Sequence, residues 1–338
     1  MVEETIQRTP LQAIGPFSTG RPQDSLLFNM DLPHRRSFFP LGFSVEIITN
    51  EPEVLVAAEE SFGHVRSLRR ATSLKIRIGV SYKAGTGLPP EPTRREYNHL
   101  YSLVADVDNQ ALLDLKTCTS FAWLTKNAVE NRSYLRYNFL EKIVYLLLGS
   151  SFVTDIHAAC VSKNGKGILL LGDSGAGKST LAYACARAGW TYTSDDTSYL
   201  INDSDVPRVI GHSHRARFRP SARSLFHELK GRALTQRLEG KPSMEIPISE
   251  LPVLKTAAEA NVDSVVVLNR QLAGETRIVL LPNGSATQRM RRDLYSAGEI
   301  RTKHERLLEA LWDVPTFELK YCDLQDGVCA LEALTLKA

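Results

Sequence analysis

Two signals stand close together in residues 169–196, LLLGDSGAGKSTLAYACARAGWTYTSDD. Gly172-Asp173-Ser174-Gly175-Ala176-Gly177-Lys178-Ser179 satisfies G-x-x-x-x-G-K-[ST], with an apolar strand-like run before it and a helical stretch after it. That spacing suits a nucleotide phosphate. Glycines let successive backbone N–H groups turn inward around the β-phosphate, and the positive end of the following helix adds to the field. Lys178 is expected to reach the β- and γ-phosphates, and Ser179 to place its hydroxyl on Mg²⁺. Gly172 through Thr180 are therefore the expected binding residues for Mg·ATP. The competing reading is a glycine-rich turn with an incidental lysine.

The second signal is Asp195-Asp196, the first of them seventeen residues after Lys178. In ordinary phosphate-loop NTPases a further acidic residue ends a strand well downstream and helps to hold the metal. Here the obvious downstream strand, DSVVVLN, ends in Asn269 instead. The short separation of WTYTSDD from the lysine leaves room for one helix over 178–188, a Gly189 terminus and one strand. The chain would thus run strand, loop, helix, strand and return both carboxylates beside the phosphates. One could take a proton from an attacking hydroxyl while the other shares Mg²⁺ with Ser179. The alternative is a turn or helix cap, for which Ser-Asp-Asp-Thr is good chemistry.

The stretch GDSGAGKSTLAYACARAGWTYTSDD resembles the catalytic core of the HPr kinase/phosphorylase family, whose fold is akin to that of phosphoenolpyruvate carboxykinase. Members combine a G-D-S-G-x-G-K-S loop with an Asp-Asp pair soon after its helix, and carry a histidine on the strand before the loop. TDIHAACV places His157 twenty-one residues before Lys178, the family's spacing. The resemblance implies that Asp195 is the general base for an acceptor serine, Asp196 its partner near the metal, and His157 a residue lining that site. Read alone, His157 lies in an apolar run and reads first as a core or hydrogen-bonded histidine; the resemblance puts the two readings on a par. The good match spans about 150–200. The family's E-I-R-G-L-G strand is replaced by GHSHRARFRPSARSLF, which has no glutamate for the metal, and its R-P-V-x-P-G-R-N loop is absent.

The elements that must position these residues form an expected α/β kinase core over 151–338. In it the apolar strands DIHAACV, GILLLG, DSVVVLNR and TRIVLLP alternate with helical stretches. A long charged helix is expected over about 286–311. Before the core comes a smaller α+β domain over 25–150, for docking or homo-oligomerisation, and before that a mobile tail over 1–24. Within the smaller domain GFSVEIITN and SLKIRIGVSY read as strands, with PEVLVAAEESFG a helix between them. Asp-Asn-Gln at 108–110 reads as a hairpin turn, and GTGLPPEPTRRE at 85–96 as a loop. Leu135, Phe139, Ile143 and Leu147 repeat at i+4 in a helix over 131–151, with Asn131 as its N-cap.

Bulk composition narrows the partners. With 41 basic and 38 acidic residues the net charge is +3, too balanced to suggest nucleic-acid binding. Five scattered cysteines without CxxC spacing argue against structural zinc and a disulfide framework and suit a reducing cytoplasm. His212 and His214 have no further candidate ligands nearby, and no apolar run is long enough to span a bilayer. The arginine stretches 215, 217, 219, 223 and 289, 291, 292 read as solvated faces or as contacts to phosphates or an acidic partner. The expected activity is ATP-dependent phosphorylation of a serine or threonine on a protein or peptide. A small hydroxyl-bearing metabolite as acceptor and a nucleotide-sensing regulatory module are the alternatives.

Overall fold

Alternating apolar and polar residues in the first half build strands that are buried on one face. The computed structural model describes residues 31–69, 73–82, 87–201, 206–235, 241–294 and 298–336. The tail expected over 1–24 lies outside them. The first sheet has seven strands in the spatial order His34–Phe38, Val45–Thr49, Leu74–Ser81, Thr119–Thr125, Asn109–Asp114, Leu100–Asp106, Thr93–Tyr97. Its parallel pairs, Val45–Thr49 with Leu74–Ser81 and Leu74–Ser81 with Thr119–Thr125, need crossovers. The helix Pro52–Phe62 makes the first, with proline in its opening turn and the Glu51 side chain accepting from the Glu53 N–H.

The i+4 stripe Leu135, Phe139, Ile143, Leu147 is fully buried beneath this sheet. Asn131 caps its segment, its side chain accepting from the Tyr134 N–H. The helical run begins earlier than expected, at Lys126 under a Thr125 cap, and is interrupted by a π turn over Arg136–Leu140 before continuing as Glu141–Ser151.

The second sheet also has seven strands, in the order Lys255–Thr256, Thr191–Ser194, Ala158–Lys163, Lys166–Leu171, Ser264–Arg270, Thr316–Tyr321, Arg277–Leu280. A four-stranded sheet, Glu259–Asn261, Arg208–Gly211, Ser198–Ile201, Val153–Ile156, lies beside it, and a ribbon pairs Arg215–Phe218 with Met244–Pro247. The chain is thus a mixed α/β protein. Two paired segments pass between the small sheet and the large one. Val153–Ile156 continues as Ala158–Lys163, and Thr191–Ser194 continues as Ser198–Ile201. The first switch is at His157 and the second at Asp195–Thr197, next to a register shift between Tyr192 and Ser194. Bulges of this kind let strands turn a corner between sheets and recur next to active sites.

Three expectations about elements change. The segment over 286–311 is two helices, Ser285–Arg292 and Gly298–Leu308, followed by a 3₁₀ turn. The Arg301 guanidinium donates to the carbonyls of Leu294 and Arg291, at 3.0 and 2.9 Å, so a side chain from the second helix satisfies the end of the first. The expected loop 85–96 contains an edge strand from Thr93, while part of its start lies outside the described residues. The hairpin turn falls on Val107–Asp108, because Asp106 Oδ1 accepts the Asp108 N–H at 2.9 Å and starts the turn one residue early.

Cores form on both sides of the small sheet. Val153, Tyr199, Ile201 and Ile210 join the core under the first sheet, whereas Ile156, Leu200 and Val209 join one with Met290 and Leu308. Residues 32–338 make one unit. Among the described residues no helix is long and apolar enough to cross a membrane.

Candidate active site

The strand Lys166–Leu171 is buried along all but its first residue, held between Ala158–Lys163 and Ser264–Arg270, and its C-terminal end leads into the glycine loop. Gly175 and Gly177 have φ of +97° and +98°, left-handed values that exclude most other residues. A Cβ at Gly177 would stand 2.8 Å from the Tyr321 hydroxyl, which donates to the Ala176 carbonyl at 3.3 Å and pins the loop. A Cβ at Gly175 would meet nothing within 4 Å, so this part of the loop faces solvent. The helix Lys178–Arg187 starts at Gly177 with no side-chain cap. Its first N–H groups and its positive dipole end are left for an anion.

Lys178 is only 6 % exposed. Its Nζ donates to the Gly172 carbonyl at 2.6 Å and approaches the Asp173 carbonyl at 3.4 Å and His157 Nε2 at 3.0 Å. Because that ring nitrogen accepts from an ammonium, the His157 proton belongs on Nδ1, which lies 3.5 Å from Asp196 Oδ1. Burial and the Lys178 charge both hold His157 below the ordinary histidine range, consistent with a neutral ring. Burial also lowers Lys178, partly offset by Asp196 and Asp173.

The two aspartates occupy different environments. Asp195 is buried, at 7 % exposure, and desolvation pushes its carboxyl up to about 6. The Arg217 backbone N–H, donating to Oδ2 at 2.8 Å, opposes that rise, and the Asp196 charge adds to it. Asp196 is half-exposed, with Oδ2 3.7 Å from the Arg217 guanidinium. Ser179 Oγ donates to the Asp195 carbonyl at 3.2 Å, which ties the helix Lys178–Arg187 to the second sheet switch. His157, Lys178, Ser179, Asp195 and Asp196 are thus brought to one place. Thr180 follows on the same helix, half-buried.

Around the loop are side chains that the motif does not specify. Arg289 donates to Asp173 Oδ1 at 2.5 Å, and Lys241 to Ser174 Oγ at 3.3 Å. Arg291 instead pairs with Glu309 at 3.2 Å. Of the stretch 215–223, only Arg217 reaches the aspartates. Arg215 is drawn into an ion cluster with Glu245 and Glu141, at 3.0 and 3.9 Å. Arg219 donates to the Lys241 carbonyl at 2.8 Å, and Arg223 to that of Arg232. Glu245 lies opposite Arg217 on the ribbon, its carboxylate 3.7 Å from that guanidinium. None of these partners has a local sequence signal, since each comes from a distant segment.

Mg·ATP fits the residues present. The solvent-facing glycine loop and the uncapped helix start suit phosphates, and Ser179 with the half-exposed Asp196 carboxylate supplies hard oxygen donors. No group of three or more His, Cys, Asp or Glu residues is placed to hold a metal among the described residues. A nucleotide-borne Mg²⁺ needs no such cage, because phosphate oxygens and water complete its octahedron.

No protein-family model matches the chain, and no curated protein matches it. Among solved structures, the HPr(Ser) kinase/phosphatase from Coxiella burnetii is similar over 55 % of this chain and 99 % of its own, at 12 % identity and a TM-score of 0.29. A likeness that weak carries no argument about activity.

Proposed function

We propose that this chain is an ATP- and Mg²⁺-dependent kinase that transfers the γ-phosphoryl group to a hydroxyl. The observation that carries the reading is the convergence of Lys178, His157, Asp195 and Asp196 beside an open phosphate loop. On nucleotide binding Lys178 exchanges its bonds to the Gly172 and Asp173 carbonyls for phosphate oxygens. His157 holds the lysine from one side and faces Asp196 on the other. Asp195, raised towards neutrality by burial, takes the proton of the attacking hydroxyl. Asp196 and Ser179 hold Mg²⁺, which neutralises charge on the phosphates.

In this reading residues 151–338 form the nucleotide side of the enzyme and residues 25–150 contribute the acceptor side. The acceptor is either a serine or threonine of a protein or peptide, or a small hydroxyl compound. The test is transfer from γ-labelled ATP by the full chain, with calorimetry of Mg·ATP binding. Binding without transfer to any acceptor would favour a nucleotide-sensing module, and no binding would overturn the kinase reading.

A further inference from the structure

A cleft of about 540 Å³ lies between the helix Glu141–Ser151 with the first sheet on one side and the strands Val153–Ile156 and Ser198–Ile201 on the other. Helix Gly298–Leu308 contributes Ile300 and His304 to its wall. That volume is within the roughly 300–1,000 Å³ of small-molecule sites.

The cleft wall leads to the phosphate site. Asp155 and Tyr199, which line it, are cross-strand partners, as are Ile156 and Ser198. Continuing that register sets Thr197, also in the lining, opposite His157. Strand alternation adds a second argument. Val153 faces the core under the first sheet and Ile156 faces the opposite core, so Asp155 and His157 share the cleft side. Thr197 directly follows Asp196, and His157 contacts Lys178.

The lining also has the character of a ligand site. Tyr101, Tyr145, Tyr199, Leu103 and Leu146 make broad apolar walls. Tyr137 enters from the π turn, a geometry frequent at functional sites. Among the described residues Asp155 has no hydrogen-bond or ion-pair partner. His304 is 4 % exposed, with Nδ1 taken by Thr154 Oγ1 at 2.8 Å, which leaves Nε2 without a partner. Lys142 is already paired with Glu91 at 2.9 Å, and Glu141 with Ser61 at 3.0 Å. The lining thus offers the Asp155 carboxylate, the Thr197 hydroxyl and the His304 imidazole to a ligand, while Arg94, over the Tyr101 ring, and Glu96 add one charge of each sign, so the Asp155 carboxylate stays in excess and disfavours an anion.

We propose that this cleft binds the phosphoryl acceptor, and that the acceptor is a small uncharged polyhydroxyl compound with an apolar ring face, such as a sugar, cyclitol or nucleoside. The inference rests on the kinase reading above. In the step, an acceptor hydroxyl oxygen bonds to the γ-phosphorus of ATP and the bond from that phosphorus to the bridging oxygen breaks. ADP leaves, and the hydroxyl proton passes to the Asp195 carboxylate and then to water.

Gly149 lines the cleft from its helix, and a Cβ there would meet nothing within 4 Å. Gly149→Phe therefore obstructs the cleft without a clash at the backbone, and Gly149→Ala checks that the helix tolerates a side chain. The full chain, with γ-labelled ATP and Mg²⁺, is offered a panel of monosaccharides, cyclitols and ribonucleosides. The expected result is label in at least one of them, with kcat/KM for it reduced about tenfold or more by Gly149→Phe while the Mg·ATP Kd is kept. Label in none of the panel, label only in polypeptide, or equal transfer by Gly149→Phe would overturn the proposal while leaving the kinase reading intact. Loss of Mg·ATP binding in the wild type would overturn both.

Discussion

The Lys178 ammonium lies 3.0 Å from His157 Nε2 while it also donates to the carbonyl of Gly172, the first residue of its own loop. The lysine is therefore positioned by a histidine from the adjacent strand as well as by the loop. Removing it takes away a charge-assisted bond to phosphate, a contact of about 1.5–3 kcal/mol. Lys178→Ala is expected to weaken Mg·ATP binding about 10- to 100-fold by calorimetry. Unchanged affinity would show that the loop does not hold the nucleotide through this residue.

In the proposed mechanism the two aspartates have separate roles. Asp195→Asn retains the shape of the carboxyl but cannot take the hydroxyl proton, so turnover should fall by ~10²–10⁴-fold with ATP affinity kept. Asp196→Asn should instead raise the Mg²⁺ concentration needed for half-maximal rate. Initial rates across a magnesium titration distinguish the two, and near-wild-type turnover in Asp195→Asn would refute the assignment.

Gly211 permits the close approach on which the second sheet switch depends. A Cβ there would lie 2.2 Å from the Thr193 carbonyl oxygen and 2.7 Å from Ser194 Cβ. Gly211→Ala must push the strand away from the register shift that precedes Asp195. The expected cost is about 1–3 kcal/mol of stability, measured by urea unfolding, together with reduced turnover. A variant as stable and active as wild type would show that the switch is pliable.

Histidines beneath the first sheet should make the protein sensitive to acid. His214 lies tilted to His64 and edge-on to His212 at ring distances of 5.6 and 5.8 Å, and burial, then Arg215, depress it to about 4. His212 is also held well below the ordinary histidine range, by burial and by Arg215, His214 and Arg217; Glu245 faces His214 with the opposite sign, and Tyr145 and Tyr199 pack on His212. Between about 4 and an unfolded value of about 6.5 the unfolded chain binds the proton that the folded chain refuses. The stabilising effect is thus present above about 6.5 and lost as pH falls towards 4. Asp195 works in the opposite direction, since its raised carboxyl favours the folded state at low pH and loses that effect as pH rises through about 6. The comparison is therefore made against His214→Phe. Its melting temperature should overtake that of wild type as pH drops below about 6.5, and parallel curves would contradict the assignment.

Much of the architecture was legible because it repeats over short distances. The stripe Leu135, Phe139, Ile143, Leu147 needs only the helical period, and all four side chains are buried. The strand, glycine turn and helix around Lys178 are contiguous, and the hydrogen bonds of the turn and helix close within a few residues. The long helix expected over 286–311 failed for the converse reason. Its periodicity continues through the break, but the Arg301 side chain, folding back to the Leu294 carbonyl, ends the first helix there.

The sequence by itself determined a glycine loop with its lysine and serine, a nearby pair of aspartates, and an α/β pattern of elements. Only the tertiary structure decided which other side chains surround that loop. Arg289 reaches Asp173 across 116 positions of chain, Lys241 reaches Ser174 across 67, and Tyr321 reaches Ala176 across 145. It also decided that His157 and Asp196 face each other, because two paired strands turn from one sheet into another at those residues. The physical reason is range. Periodicity and turn chemistry act over a few residues, whereas a cleft and its charges arise from packing between segments whose separation leaves no local pattern.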